Sequence, residues 1–148
     1  EKIMSKTEDF LSKADEQEIV QAIIEAEKNT SGEIRVHLEE HTEKSPLDRA
    51  QEVFFELHMH ETQDRNGVLF YVGVADKKFA IIGDEGIDKV VEADFWDCTK
   101  DVVIANFKEG NYKKGLVEGI LRAGERLKKY FPYQSDDSNE LSNEISRK

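Results

Sequence analysis

The chain has one cysteine, Cys98, and no apolar run approaching the ~20 residues that a membrane span needs. A lone cysteine excludes an internal disulfide and a multi-cysteine zinc site, and it fits a reducing compartment. Basic residues are also scarce: 21 Lys and Arg stand against 32 Asp and Glu, a formal charge of -11 in 148 residues. That excess opposes nucleic-acid backbones and anionic lipid surfaces. No basic patch is segregated along the chain, so neither nucleic acid nor membrane insertion is expected. The N-terminus shows no signal-peptide apolar region, and the chain reads as cytoplasmic. No G-x-S-x-G elbow, Walker loop or G-x-G-x-x-G fingerprint occurs, and Cys98 lacks the C-x5-R pattern of a cysteine phosphatase.

What is present suits one domain, since a chain of this length buries roughly 70% of the surface its unfolded form exposes. Residues 1–6 read as an expression leftover or a flexible N-terminus, 7–133 as the domain and 134–148 as a polar tail. Between residues 7 and 28, Ile19, Val20, Ile23, Ile24 and Ala26 recur near helical spacing. In "EIRVHLE" Ile34, Val36 and Leu38 alternate with Arg35, His37 and Glu39, which predicts a strand with one dry face and one wet face. Ala50, Val53, Phe54 and Leu57 form the stripe of a second helix over 47–57. "GVLFYVGVA" is apolar almost throughout, as expected of a central strand covered on both faces, and "FAIIG" returns antiparallel to it after the turn "DKK". One or two helices follow. Tyr112, Leu116, Ile120, Ala123, Leu127 and Phe131 then trace a long amphipathic helix that Pro132 ends. The tail has little apolar content, with Tyr133, Leu141 and Ile145 as its only anchors. The order predicts an α/β protein, a three-layer α/β/α sandwich with a small mixed β-sheet.

This topology has a geometric consequence. If the first two strands are parallel, their starts share one sheet edge, at Glu33 and at Asn66-Gly67, and the antiparallel third strand ends there at Asp84-Glu85. Glu33, Asp64, Asp84 and Glu85 would then crowd one edge and repel unless a cation joins them. Oxygen-only ligands favour Ca2+ or Mg2+, and the lack of an EF-hand pattern implies a dissociation constant on the order of 10⁻⁴ to 10⁻³ M. Against this stands a plainer role for Asp84 and Glu85, capping the helix that follows them. Arg65 is read first as an ion-pair partner of these acids and second as a bidentate anion ligand, with Asn66 beside it at the strand entry. His58 and His60 have a poor spacing for shared metal ligation, and His37 and His41 are expected in solvent. Phe95 and Trp96 read as core anchors and Cys98 as a buried helical thiol.

The blocks "NTSGEIRVH", "HMHETQDRNGVLFYVGVADKKFAIIGDEGI" and "FKEGNYKKGLVEGILRAGERLKKYFPYQSDD" resemble, in order and spacing, the TPM domain family of thylakoid-lumen, photosystem-repair and receptor-modulating proteins. The resemblance spans residues 10–137 and is that of a short free-standing bacterial version. It implies an α/β/α domain, and for some members calcium binding and acid-phosphatase activity. Three functions stand open. The first is a weak divalent-cation-binding module that interacts with or maintains other proteins. The second is a metal-assisted acid phosphatase acting on phosphomonoesters, and the third is a structural interaction module with an acidic edge and no metal.

Overall fold

The computed structural model describes residues 10–133 and 141–148. Helix α1 spans Lys13–Glu27. Ser12 supplies its start signal. The Ser12 hydroxyl accepts from the Asp15 backbone and the Asp15 carboxylate accepts from the Ser12 N–H, a reciprocal cap. Strand β1 is Glu33–Glu39, and α2, Pro46–Glu56, opens on Ser45 as cap with proline in its first turn. After a 3-10 turn at Met59–Glu61 come β2, Gly67–Gly73, and β3, Lys78–Gly83. Then follow a one-turn helix α3, Glu85–Asp88, α4, Asp97–Lys108, α5, Tyr112–Leu127, and a two-residue strand β4, Ser146–Arg147.

The sheet order is β3-β2-β1-β4. β1 and β2 are parallel with Glu33 opposite Gly67, β2 and β3 antiparallel with Val68 opposite Gly83, and β4 runs parallel to β1 with Ser146 opposite His37. Alternation assigns the two faces. Ile34, Val36 and Leu38 of β1 join Val68, Phe70 and Val72 of β2 beneath α1, α4 and α5. Leu69, Tyr71 and Ala80 face the other way, onto Ala50, Val53 and Phe54 of α2 and onto Met59. The protein is therefore an α/β/α sandwich around a small mixed sheet, and β2 is buried at every residue. On the three-helix side, Gly124 of α5 lets two backbones close up: a Cβ there would lie 2.9 Å from the Ala26 Cα.

Three readings of the sequence are corrected. β1 has no wet face, because His37 and Glu39 lie beneath α2 and the C-terminal residues, at 3% and 5% exposure. Cys98 is exposed, since its position in the first turn of α4 turns it away from the core. The long helix stops at Leu127, and Pro132 instead forms a bridge with Thr30. Tyr133 is largely exposed, whereas Leu141 and Ile145 pack on the two apolar clusters and lead into β4, a strand that the polar tail does not announce. Residues 134–140, and the helical start expected at 7, lie outside the described residues.

Candidate functional site

The parallel pair and the returning hairpin bring three loops to one edge. Asp84 N–H donates to Gly67 O at 3.0 Å, Glu33 N–H to Asn66 O at 3.3 Å, and Gly86 N–H to Arg65 O at 2.9 Å. Gly86 is required here for space. A Cβ would sit 2.6 Å from the Arg65 carbonyl oxygen and closer still to that of Asp64. Arg65, with φ of 50°, turns its guanidinium onto the acids. Its Nε and Nη2 donate to the two Asp84 oxygens at 2.8 and 3.0 Å, and Nη1 lies 3.0 Å from Glu85 Oε1. Both Asp84 oxygens are thus taken by one fork, while Oδ1 also accepts the Glu85 N–H at 2.7 Å and caps α3.

The other sequence-read residues divide. Glu33 is buried and its Oε1 accepts the Leu141 N–H at 2.7 Å. Asn66 is buried, donates from its backbone N–H to the Thr62 hydroxyl oxygen at 3.2 Å and from Nδ2 to Ser31 Oγ at 3.3 Å. Asp64 is exposed on the turn before Arg65. Asp88, which the sequence reading omits, belongs to the same edge: burial first, and the Asp84 charge second, raise its carboxyl above the usual range. The edge therefore gathers acids, yet among the described residues no three acidic, histidine or cysteine side chains are placed to hold one metal ion.

A second constellation lies at the opposite end of β1, on the face that the sequence reads as wet. Glu39 accepts from Arg49 Nε and Nη2 at 2.9 and 2.8 Å and from the Tyr71 hydroxyl at 2.6 Å. His37 completes it, with Nδ1 3.0 Å from Ser146 Oγ and Nε2 3.4 Å from Glu39 Oε1. Burial alone would push the Glu39 carboxyl up, but the Arg49 and Tyr71 hydrogen bonds outweigh it and hold Glu39 down at about 2. Burial, then the Glu39 hydrogen bond, raise the Tyr71 hydroxyl, and burial lowers His37. A shallow cleft of about 540 Å³ opens beyond Glu39 and Arg49. Several of its charges are paired: Arg49 also meets Glu52 at 3.0 Å, His41 meets Asp76 at 2.6 Å, and Lys44 pairs with Glu52. This cluster holds α2 to the sheet.

The TPM domain matches residues 4–126 of the chain. The chain belongs to the TPM domain family. The BA42 protein of the psychrophilic bacterium Bizionia argentinensis is 55% identical to this TPM protein, with a TM-score of 0.90 over 98% of this chain and 100% of that one. Two more distant structures share the fold alone. One is the N-terminal domain of a P. gingivalis protein, 20% identical, with a TM-score of 0.66 over 82% of this chain and 79% of that one. The other is the N-terminal domain of the cg2496 protein of Corynebacterium glutamicum, 12% identical, with a TM-score of 0.63 over 86% and 78%. No curated protein matches the chain at a significant level. Among the described residues no helix of this TPM protein is long and apolar enough to cross a membrane.

Proposed function

We propose that this TPM protein is a non-catalytic protein-interaction module whose acidic loop edge takes a divalent cation weakly. The observation that carries the reading is the Arg65 fork on Asp84, with Glu85 as its third partner. A guanidinium already joins the acids that a cation would join, so Ca2+ or Mg2+ has to compete with an internal charge. The exposed Asp64 carboxylate, the second oxygen of Glu85 and Asp88 are hard donors left over, and among the described residues they form no closed ligand set. Binding is accordingly an attraction of the open edge, in the millimolar range of weak oxygen sites. The exposed Cys98 thiol suits a reducing, cytoplasmic setting.

The phosphatase reading draws less support. Metal-assisted hydrolysis needs a firmly held water and a free base to take its proton. Asp84, a buried acid of the edge, has both oxygens committed to Arg65. The deciding experiment is a calcium titration followed by backbone amide shifts. Shifts confined to Glu33, residues 64–67 and residues 84–86 are expected. Shifts spread over α5, or none at 10 mM calcium, would overturn the cation part of the reading.

A further inference from the structure

We propose that residues 141–148 form a pH-sensitive strap along the outer edge of β1, docked while His37 is neutral and released when His37 takes a proton. The segment follows β1 along most of its length, and Glu33, Arg35, His37 and the Leu38 carbonyl of that strand each meet it. Glu33 Oε1 accepts the Leu141 N–H at 2.7 Å, Arg35 lies in the field of Glu144, His37 Nδ1 lies 3.0 Å from Ser146 Oγ, and Leu38 O accepts the Lys148 N–H at 3.0 Å.

This joint is built to open. Its ladder is only two residues long, and its apolar anchors, Leu141 and Ile145, are half-buried. Arg35 Nε and Asn143 Oδ1 are buried in it without a hydrogen-bond partner among the described residues. Such groups regain water when the strap leaves, which lowers the free-energy gap between docked and released. The rest of the sheet, with β2 fully buried, does not share this weakness.

His37 is the group through which pH acts. It is 3% exposed and sits among Glu39 of its own strand, Tyr71 of β2, Arg49 and Glu56 of α2, and Ser146 of the strap. Its carboxylate neighbour gives a proton little reward, because Arg49 and Tyr71 already saturate Glu39. Burial lowers the His37 pKa, so docking free energy is fully present above the free imidazole value near 6.5 and is lost as pH falls below it. If only the released form accepts the proton, the opening equilibrium grows by about 30-fold between pH 8 and pH 5. Release would leave the N–H and C=O groups of β1 free to pair with an extended segment of another protein. This last consequence rests on the interaction-module reading; the strap itself does not.

Hydrogen exchange on the full chain, corrected for the intrinsic pH dependence of exchange, tests the strap directly. Amides of residues 141–148 should open up to about 30-fold more at pH 5 than at pH 8 while α5 stays protected. His37→Gln should abolish that rise. Arg35, Glu16, Glu33 and Glu56 also meet the strap or its neighbours, and His37→Gln leaves them in place. A pH response that survives the substitution, a strap that stays closed at pH 5, or α5 opening in step with it would each overturn the proposal. Should His37→Gln not fold, titration of the His37 ring in the unaltered protein replaces it. Coincident midpoints for the ring and the strap support the proposal, and separate midpoints overturn it. Neither outcome bears on the calcium titration, so the two readings fail independently.

Discussion

Replacing Glu27 by glutamine should stabilise this protein at alkaline pH and leave it unchanged near pH 4. Glu27 is the last residue of α1, where the unpaired helical carbonyls already concentrate negative charge. Its side chain turns inward, and Oε2 accepts the Ile34 N–H at the start of β1 at 2.9 Å. Burial, the largest influence, together with the nearby Glu33 outweighs that hydrogen bond and raises the carboxyl from 4.5 to about 7. A carboxyl raised in the fold contributes fully below its unfolded value. That contribution is lost as pH rises through the folded value. A rise from 4.5 to about 7 corresponds to about 3 kcal/mol between pH 4 and pH 9. Glutamine keeps an acceptor for Ile34 and never ionises. Urea unfolding of both proteins should therefore show a gap that grows from near zero at pH 4 to about 3 kcal/mol at pH 9, or roughly 6–12 °C in Tm. A gap independent of pH, or Glu27→Gln less stable at pH 9, would refute the reasoning.

Three further outcomes follow from the two ends of β1. Arg49→Ala strips Glu39 of its bidentate partner while leaving the carboxylate buried, so chemical denaturation at pH 7 should show a loss of about 3–5 kcal/mol. Gly86→Ala forces the Asp64 and Arg65 carbonyls away from α3 and should cost about 1–3 kcal/mol, with amide shifts centred on residues 64–66. Arg65→Gln removes the guanidinium that occupies Asp84, so isothermal titration should show calcium binding several-fold more tightly than in the unaltered protein. Unchanged or weaker calcium binding would mean that Arg65 is not a competitor.

The parts of the fold legible in the sequence are those with a strong period. The apolar run of β2 and the stripes of α2 and α5 each bury enough carbon to declare their partners. The convergence of Glu33, Arg65 and Asp84 at one edge was also legible, because parallel and antiparallel pairing alone place those loops together. Two things were not. β4 is two residues of Ser and Arg in a polar segment, with no period to read, and it exists because β1 offers an open edge. The burial of His37 and Glu39 needed knowledge of what lies above them. Alternation assigns a residue to a face, but only the fold decides whether that face is wet, and here Arg49 and Tyr71 make burial of a charge tolerable.

That last point separates the two acid-bearing ends of β1. Glu39 is charged, buried and answered at both oxygens by Arg49 Nε and Nη2, with Tyr71 adding a third donor. A cation entering there would have to break that fork inside the protein, where an unpaired charge is most costly. The Asp84 fork is similar in outline, but Arg65 is part-exposed and its third contact, to Glu85, is an outer one. Solvent screening makes that arrangement weaker, so Arg65 can swing away at far smaller cost. The same pair of ionic motifs thus performs different work at the two ends. The buried one fastens α2 to the sheet, and the open one pairs its acids with an arginine that solvent reaches. A cation titration that moved the amides around Glu39 before those around Asp84 would reverse this assignment.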